Sequence, residues 1–397
     1  MTDGLVSLLS ELVHIPSPNP PGDSLAIAAY IRDWLRDAGC TVQTFAPPNK
    51  PEALSVVATV GTGSPAIMMH AHIDTVPVAQ DEAGRWSVDP YAAVIKDNRL
   101  YGKGSVDDKA PLAAMMQIMA DSAHSFSPLL EGEGSGVRAG ENITLILVAA
   151  AEEEVGGQLG TRWLADNGCI PPADFIIVGE QTANRAATAH KGVLRATVRA
   201  TGRSVHATNP DRGVNAIVAM SKAVLALHAY HDSLKSRVHP LAGFPTCNVG
   251  VIQGGSTANA VPDSCTVVLD RRMIPGEDPE AVKRELEAVI ASVEAAPAEL
   301  SVGDYLVSNW FQSTVDSPLA QAFLGAIRDE LNAEPGPVGY LPGSDAKHLT
   351  SLTRGEMVIF GPGSYEVAHA FDEYVDLTEL QATYNILKRF IDRIRES

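Results

Sequence analysis

The stretch ITLILVAAAEEEVGG, residues 143–157, places a continuous apolar run directly before three glutamates and two glycines. A short apolar run of this kind is typical of a strand that is buried on both faces. A solvated loop is the usual explanation for three like charges, but here the charges follow a buried strand at once. Like charges this close raise each other's pKa unless a cation intervenes. The pattern would allow one glutamate to bind a metal while a neighbour stays free as a base.

Four more apolar runs of the same strand type lie elsewhere in the chain, at 54–60, 66–69, 175–178 and 357–360. Patterns typical of helices occur before and between them, at about 5–12, 24–38, 112–121, 159–167 and 318–331. Strands that alternate with helices predict an α/β layer with a largely parallel sheet. The stretch 126–141, rich in Gly, Ser and Glu, is predicted to be an exposed loop.

The middle of the chain follows a different order. Strand patterns at 193–201, 248–253, 265–274 and 299–306 are combined with helix patterns at 214–230 and 278–295. The resulting order β-α-β-β-α-β is that of a ferredoxin-like unit. We therefore predict an inserted domain at 187–306, between the first part (1–186) and the second part (307–397) of the outer domain.

Length, charge and cysteines narrow the class of protein. The 397 residues exceed an ordinary single-core domain, and 48 acidic against 30 basic residues give a net charge of −18. No basic tract is present to neutralise phosphates, which argues against nucleic-acid binding. Neither an apolar run of about 18 residues nor a signal-peptide pattern is visible, so no membrane span is expected. The scattered cysteines, Cys40, Cys169, Cys247 and Cys265, fit neither a zinc knuckle nor a disulfide framework, which favours a reducing, cytoplasmic compartment. Cys247 and Cys265 could lie on neighbouring strands, but buried thiols are the favoured interpretation.

Two further clusters place histidine or aspartate near strand or helix ends. His72 follows an apolar run and Asp74 stands two residues on, where side chains of an extended segment point the same way. Asp74 is then placed to orient the His72 ring while the other ring nitrogen binds a metal, with an ordinary strand-end turn as the alternative. Glycines allow a sharp turn that would present the Asp107 carboxylate outward, whereas Asp108 fits a helix N-cap.

Two more residues of the same kind follow predicted strands. Glu180 comes directly after the run 175–178, and His369 lies in the loop after 357–360. In open α/β sheets, ligands bind beyond the carboxyl ends of the strands. The five clusters together supply two histidines and several carboxylates, a set that suits zinc or a similar divalent metal and suffices for two ions. Because cysteine is absent from the clusters, a purely structural zinc site is a poorer explanation.

The motifs occur in the order His-x-Asp, Gly-x-Gly-x-x-Asp-Asp-Lys, Glu-Glu-x-Gly-Gly, Gly-Glu and a late His. This order resembles that of the co-catalytic zinc amidohydrolases, the family of acetylornithine deacetylase, succinyl-diaminopimelate desuccinylase, aminoacylase and glutamate carboxypeptidase. The resemblance covers the whole chain. It implies an α/β fold in which a mixed-sheet zinc-hydrolase catalytic domain carries an inserted ferredoxin-like α+β domain that acts as a lid and in dimerisation.

The resemblance also implies roles for the clustered residues. Five of them would hold two metal ions, with His72 and Glu180 on one, Glu154 and His369 on the other, and Asp107 on both. Glu153 would be the general base, and Asp74 would complete the catalytic group from behind His72. This alignment leaves Glu152 where the family often has Asp, and a slip by one residue is the alternative. His70 falls where the family usually has a small or variable residue and is not assigned as a ligand.

Further roles are implied for the inserted domain and for a late loop. His206 would reach the active site of a neighbouring subunit and donate to the oxyanion, so a homodimer is expected. Four residues match positions near the substrate: Asn259, Arg272, Gly343 and Ser344. Arg271 is an equally basic neighbour of Arg272, and ordinary turn and strand chemistry is the alternative for the whole set. The peptide bond between residues 107 and 108 is expected to be cis.

The implied function is hydrolysis of the amide bond of an N-acyl amino acid or a related small carboxylate-bearing amide. Two divalent ions would serve as cofactors, zinc first, with cobalt or manganese as alternatives. A dipeptidase or a glutamate-releasing carboxypeptidase uses the same chemistry and stays open, because the motifs do not select a substrate. A non-catalytic metal-binding protein on this scaffold is a third hypothesis, but such a protein would be expected to lack the base or a ligand.

Overall fold

The computed structural model describes residues 3–78, 83–126 and 143–396. From residue 127 on, the loop predicted at 126–141 lies outside the described residues. The helices are α1 (Asp3–Val13), α2 (Leu25–Asp37), α3 (Lys109–Phe126), α4 (Thr161–Asp166), α5 (Ala216–Leu234), α6 (Pro279–Ala291), α7 (Pro318–Leu331), α8 (Ala346–Leu349) and α9 (Leu377–Glu396). The strands are β1 (Thr41–Phe45), β2 (Ser55–Val60), β3 (Ala66–His72), β4 (Val94–Lys96), β5 (Arg99–Tyr101), β6 (Thr144–Ala150), β7 (Ala173–Gly179), β8 (Ala187–His190), β9 (Gly192–Thr201), β10 (Thr246–Gly254), β11 (Ser264–Met273), β12 (Glu299–Ser308), β13 (Phe311–Gln312), β14 (Val338–Tyr340), β15 (Thr353–Phe360) and β16 (Tyr374–Asp376).

The chain divides into two compact units. The first comprises Met1–Thr188, Ser313–Val338 and Ser344–Ser397, and the second comprises Ala189–Gln312 and Gly339–Gly343. The short piece 339–343 of the second unit was not assigned to the inserted domain by the sequence. The boundaries 1–186, 187–306 and 307–397 stay predictions.

The first unit contains a mixed sheet with the strand order β1-β2-β6-β3-β7-β15. The pairs β6–β3, β3–β7 and β7–β15 are parallel, whereas β1–β2 and β2–β6 are antiparallel. Nearly every residue of β3, β6 and β7 is buried, as is typical of parallel strands covered on both faces. The register pairs His72 with Ala150 and Phe360 with Gly179, so the carboxyl ends of four strands meet at one edge.

Five helices pack with this sheet in one hydrophobic core. Each contributes fully buried side chains, for example Leu9 of α1, Ile31 of α2, Met115 of α3, Phe323 of α7 and Phe390 of α9. The rings of Phe323 and Phe390 meet edge to face with centroids 5.2 Å apart, the arrangement that aromatic quadrupoles favour. Burial of one such ring contributes about 1.5–3 kcal/mol. This core supports the sheet edge at which the clusters lie.

A small antiparallel sheet of β16, β5 and β4 lies in the same unit. Its register sets Tyr374 opposite Tyr101 and Asp376 opposite Arg99. The segment before β16 therefore runs beside the segment after β5. These three short strands were not predicted from the sequence, yet they bring the chain region of His369 next to that of Asp107.

The second unit has the strand order β10-β11-β9-β12, with all neighbours antiparallel. Its elements follow the chain as β9-α5-β10-β11-α6-β12, which is the predicted β-α-β-β-α-β order. Burial alternates along β9 and β11, and the inward side chains share one core with α5 and α6. The expected fold class, a mixed-sheet α/β domain with an inserted ferredoxin-like unit, is confirmed.

The cysteines agree with the interpretation of the sequence as free thiols. All four cysteines are free, with Cys169 half-buried and the other three buried. Cys247 pairs with Arg271 across β10 and β11, so it does not stand opposite Cys265. Across the three described ranges, no helix is long and apolar enough to span the width of a bilayer.

Candidate metal centre and active site

The sequence-predicted ligands gather at the carboxyl edge of the sheet in the first unit. His72 is the last residue of β3, Glu154 lies in a single 3₁₀ turn after β6, and Glu180 follows β7. Asp107 comes from the segment between β5 and α3, and His369 from the loop after β15. Loops that leave parallel strands on one side bring these distant positions together.

His72, Asp107 and Glu180 form the first ligand group, with one ligand atom of each within 4.8 Å of the others. The Nε2 of His72 lies 2.9 Å from Oδ1 of Asp107. On the other side of the ring, Nδ1 lies 2.9 Å from the backbone oxygen of Asp74. When Nδ1–H donates to this carbonyl, Nε2 keeps its lone pair for a metal.

Asp107, Glu154 and His369 form the second ligand group, within the same 4.8 Å limit. The Nε2 of His369 lies 3.1 Å from Oδ2 of Asp107 and 3.2 Å from Oε2 of Glu154. The other oxygen of Glu154 accepts a hydrogen bond from the Val76 N–H at 3.0 Å. Asp107 thus belongs to both groups, with one carboxylate oxygen near each histidine.

The structure differs from expectation in the surroundings of the two aspartates. Asp107 is 7% exposed and faces the two histidines rather than pointing outward. Asp108 precedes α3 at the N-cap position, but its recorded side-chain bond goes from the His72 N–H to Oδ2, at 3.2 Å. The peptide bond between Asp107 and Asp108 is cis, as expected.

The crowded carboxylates have displaced pKa values. Burial raises the pKa of Glu154, and raises that of Glu180 and Asp108 further above the usual carboxyl range. Burial acts in the same sense on Asp107, but hydrogen bonds from His369 and His72 hold its pKa below its usual value. Hydrogen bonds to Asp107 and Glu154 raise the pKa of His369 to about 10. The site therefore gathers buried carboxylate oxygens and imidazoles, the ligands that divalent cations such as zinc prefer, and the donor set fits two such ions.

Glu153 lies beside both ligand groups without belonging to either. Burial raises the pKa of its carboxyl to about 8, although the ammonium of Lys347, 3.8 Å from Oε1, acts in the opposite direction. Its backbone N–H donates to Oδ1 of Asp74 at 3.1 Å. A group with such a pKa next to a reaction site can both take and return a proton near neutral pH.

Asp74 lies behind the His72 ring, as expected, and also contacts the turn after β6. Its carboxylate lies 3.6 Å from Nδ1 of His72, too long for a good hydrogen bond. It accepts instead from the backbone N–H groups of Glu153 and Glu154, and from Nδ2 of Asn19 at 2.9 Å. The carboxylate therefore fixes the turn that carries these glutamates, while the Asp74 backbone orients the histidine ring.

Glu152 and His70 have partners of their own. Oε1 of Glu152 accepts from Nζ of Lys50 at 2.6 Å and from Nδ2 of Asn19 at 3.1 Å. The Nε2 of His70 lies 2.7 Å from Oγ1 of Thr161, and burial lowers the pKa of this histidine to about 4. Neither residue is part of a ligand group in the described part of the chain.

Gly157, the second glycine of the motif, meets a steric requirement. Its φ is +72°, and a Cβ there would lie 2.2 Å from Oδ1 of Asp345. Glycine alone combines this backbone conformation with such close approach. The preceding Gly156 has φ +106° but open space around it. The turn after β6 can therefore pack against the loop that follows Ser344 only with glycine at 157.

The candidate substrate residues of the second unit lie on exposed loops and on β11. His206 is exposed and pairs through Nδ1 with Oγ1 of Thr208 at 2.9 Å. The backbone of Ala207 donates to that of Asn259 at 2.9 Å, so these two loops are adjacent. Arg272 is 34% exposed and binds Asp270. Its neighbour Arg271 is fully buried and paired with Glu277, so of the two arginines Arg272 is the accessible one.

The late loop has an inward-facing serine. Ser344 is fully buried, and its Oγ accepts from the Ala346 N–H at 3.3 Å. Its carbonyl oxygen accepts from Nζ of Lys347 at 2.9 Å. Gly343 is half-buried and has no atom within 4 Å of the place of a Cβ. In this loop, Gly343 therefore has open space beside it, whereas the Ser344 side chain is enclosed.

Four residues near the site were missed by sequence reasoning: Asn19, Lys103, Lys347 and Glu373. Asn19 lies in the Ser-Pro-Asn-Pro-Pro-Gly break after α1, and Glu373 ends the segment that carries His369. Both positions were visible as motif neighbours, but their partners are far away in the chain. Lys103 and Lys347 gave no signal beyond one positive charge beside an acidic motif.

Comparison with known proteins identifies the family. A model of peptidase family M20/M25/M40 matches residues 68–393 of the chain. The chain is 30% identical over 373 residues to an acetylornithine deacetylase from Proteus mirabilis, which covers 92% of this chain and 89% of that protein. The structure is similar to a tripeptidase from Staphylococcus aureus, with a TM-score of 0.76, 22% identity, and coverage of 99% of this chain and 98% of that one. It is also similar to a dinuclear metal-binding M20 peptidase from Bacillus subtilis, with a TM-score of 0.68, 15% identity, and coverage of 99% and 98%.

The matched residues span most of the chain, and the chain belongs to peptidase family M20/M25/M40. It is therefore a hydrolytic enzyme of the metal-dependent amidohydrolase and metallopeptidase class, which acts on amide bonds. The family predicted from the order of the motifs is confirmed.

Proposed function

We propose that the chain is a dinuclear metal hydrolase that cleaves the amide bond of an N-acyl amino acid or a related small carboxylate-bearing amide. The observation that carries this proposal is the position of Asp107, whose two oxygens lie near two different histidines. A carboxylate so placed can bridge two cations. Identity of 30% to an acetylornithine deacetylase over 92% of the chain supports a deacylase.

His72 and Glu180 would hold one ion, Glu154 and His369 the other, and Asp107 both. Imidazole and carboxylate ligands favour zinc, with cobalt or manganese as alternatives. The chemistry that such ions supply is polarisation of an amide carbonyl and a lower pKa for a nearby water, from about 15.7 toward about 7.

Glu153 would act as the general base. Its carboxylate would take a proton from the attacking water and return it to the nitrogen of the leaving amine. Asp74 would hold this glutamate through the Glu153 N–H, at 3.1 Å from Oδ1. Lys347, 3.8 Å away, would keep the charged carboxylate in place before the proton moves.

Residues outside the ligand groups would bind the substrate. His206 would donate to the oxyanion in the active site of a neighbouring subunit, the role that the family resemblance implies. Its exposed position on a loop leaves the ring accessible to a second subunit. Asn259, on the adjacent loop, and the accessible Arg272 would bind the substrate carboxylate. Gly343 and Ser344 would line the pocket through their backbone, since the Ser344 side chain is turned inward.

Assembly and location belong to the same proposal. β10 is an outer strand of its sheet and exposes Val251 by 47% and Ile252 by 56%, an edge suited to pairing with a second copy. Replacing both residues by glutamate should give a monomer that has lost activity, measured by light scattering and turnover. A fully active monomer would exclude the cross-subunit role of His206.

Free thiols at all four cysteines support the cytoplasm as the location.

The test of the function is a substrate panel with the metal varied. N-acetyl, N-succinyl, N-formyl and aromatic-acyl amino acids, together with dipeptides and tripeptides, are assayed with zinc, cobalt or manganese. We expect the N-acyl amino acids to be hydrolysed fastest and chelation to abolish the activity. Undiminished activity after exhaustive chelation would disprove the metal mechanism.

Glu153→Gln is the variant that tests the base, and Glu152→Gln is its matched control. The first should lower kcat by about 10²–10⁴-fold while two ions stay bound, since general base catalysis contributes about that factor. Glu152→Gln should stay within about tenfold of the wild type, because Glu152 is bound to Lys50 and Asn19 instead. Wild-type turnover in Glu153→Gln would show that another residue is the base.

A dipeptidase or a glutamate-releasing carboxypeptidase is the second candidate function. The similarity in fold to a tripeptidase favours peptides as substrates, although the identity is only 22%. The same panel separates the two functions. Faster hydrolysis of peptides than of every N-acyl amino acid would replace the deacylase by this alternative.

A further inference from the structure

A buried ion pair between Lys103 and Glu373 adjoins the candidate metal centre without any of the roles above. Its charged atoms are 2.8 Å apart, and the side chains are 3% and 0% exposed. The other oxygen of Glu373 accepts from the backbone N–H groups of Val106 at 3.1 Å and Asp107 at 3.2 Å. The backbone oxygen of Glu373 accepts from the Gly102 N–H at 2.9 Å. One residue thus joins the segment that carries Asp107 at four points.

This ion pair connects two ligand-bearing segments. Glu373 lies four residues after His369, and its partners lie at and just before Asp107. The pairing of Tyr374 with Tyr101 in the small sheet leads directly into these bonds. Beyond them, Nε2 of His369 lies 3.1 Å from Oδ2 of Asp107. The sheet, the ion pair and the two ligands therefore form one continuous chain of contacts.

We propose that Lys103 and Glu373 are positioning residues that hold Asp107 and His369 at ligand distance, and so set the affinity of the ion bound by Asp107, Glu154 and His369. This inference rests on the proposed dinuclear centre. Buried ion pairs add little stability over an apolar pair, so their value often lies in the geometry that they impose. Loss of a residue that orients metal ligands typically costs about 10–100-fold in metal affinity.

The two ion positions should respond differently. His369 lies in a loop, and its side chain is 51% exposed. His72 ends a buried strand, and its ring is held by the backbone oxygen of Asp74 at 2.9 Å. Within the described ranges, the hydrogen bonds of the Lys103 and Glu373 side chains join these two residues to each other and to the N–H groups of Val106 and Asp107, and do not reach His72. Loss of the ion pair should therefore weaken the His369 position far more than the His72 position.

A second buried ion pair supplies the matched control. Arg271 and Glu277 of the second unit are 2.6 Å apart, with side chains 0% and 11% exposed. Glu277 also accepts from the Ile274 N–H at 2.9 Å, so it too combines a cation with a backbone donor. Glu277→Gln removes a comparable buried charge in the second unit, and neither member of this pair belongs to a candidate ligand group of the described residues.

The experiment measures zinc binding to the full-length protein by competition with a chromophoric chelator, alongside metal content and the melting temperature of the metal-free protein. His369→Ala identifies the ion that belongs to the His369 position. Glu373→Gln and Lys103→Gln should raise the dissociation constant of that ion by about 10–100-fold and that of the other by less than about threefold. Lys103→Arg should restore most of the affinity, since a guanidinium donates to the same carboxylate.

The control variant and the variants of the ion pair are expected to give different results. Glu277→Gln should lower the melting temperature without changing either dissociation constant. Equal weakening of both ions, or no weakening, in the Lys103 and Glu373 variants would overturn the inference. If Glu373→Gln does not fold, Lys103→Gln decides, because it keeps the hydrogen bonds that the N–H groups of Val106 and Asp107 donate to Glu373. Fewer than two ions bound by the wild type would instead refute the proposed dinuclear function.

Discussion

His72 and His369 approach the same carboxylate, Asp107, from two differently built regions of the molecule. The side chain of His72 is 2% exposed at the end of a central parallel strand, and that of His369 is 51% exposed in a loop. His369 also has a positive φ of 60°, a conformation that non-glycine residues adopt only when the surroundings enforce it. The part of the site around His72, here called the strand-built half, is therefore part of the core. The part around His369, the loop-built half, is held by contacts between loops.

This difference shows that one site can combine a firmly held ligand with a ligand whose position depends on local contacts. Residues that end buried strands keep their positions because the sheet register fixes them. Residues on a loop keep their positions only while their local partners stay in place. Mutations can therefore displace the loop-built half without unfolding the domain.

The largest effect that would test this comparison is on the stability of the metal-free protein. His72→Ala removes a buried partner of Asp107 and should lower the free energy of unfolding by about 3–5 kcal/mol. His369→Ala removes a half-exposed partner and should cost less than about 1 kcal/mol. Urea titration of both metal-free variants measures the two values. Similar losses would show that the two halves are equally part of the core.

A smaller effect on stability is expected in the turn after β6, which carries Glu153 and Glu154. Gly157→Ala forces a side chain to within 2.2 Å of Oδ1 of Asp345 at φ +72°, and should cost about 3 kcal/mol. Gly156→Ala has open space at φ +106° and should cost about 1–2 kcal/mol for the backbone alone. Thermal unfolding of the pair gives the difference. A cost no greater at 157 than at 156 would show that this turn yields easily.

The smallest effect concerns β15, which leads into the His369 loop. Glu356 on this strand accepts from Thr314 and from the N–H groups of Asp316 and Ser317, at 2.7 and 2.9 Å, before α7. Although burial acts in the opposite sense, these bonds hold the pKa of Glu356 below its usual value. Glu356→Gln should cost about 1–2 kcal/mol at pH 7 without changing metal affinity.

The pH dependence of that cost follows from the sign of the shift. Because the folded pKa is depressed, the unfolded chain binds the proton first as the pH falls, near about 4.3. The stabilisation is therefore complete above that pH and is lost as the pH falls through the folded pKa. Urea titrations of wild type and Glu356→Gln between pH 3 and 7 should show the two curves converging at the acid end. A difference that stays constant over this range would show that the charge of Glu356 is not the cause.

Much of the fold could be predicted from the sequence, because the signals were local. The run 143–150 became β6, and the predicted order of the middle region became the ferredoxin-like unit, since apolar runs and alternation report burial directly. The small sheet was missed because β4, β5 and β16 are three residues long each and depend on pairing across the chain. Strands so short have no periodicity to detect.

For the site, the order of motifs indicated which residues would meet, but not how they would be held. The five proposed ligands fall into the two groups that the resemblance implied. The carboxylate of Asp74 lies behind the His72 ring as expected, but its hydrogen bonds to the turn after β6 were not foreseen. Such details depend on where side chains far apart in sequence finally meet, as do the contacts of Glu373. Composition and spacing carry no record of them.

The pairing of β16 with β5 has a consequence for the synthesis of the chain on the ribosome. His72, Asp107, Glu154 and Glu180 all emerge before the second unit is made, whereas His369 and β16 emerge near the end. A nascent chain can thus assemble the His72, Asp107 and Glu180 group early, but it lacks His369, the third ligand of the other group, until translation is almost complete. Any product that stops short of β16 would lack the bonds that hold this last ligand, and would be distinguished from the finished enzyme by its metal content.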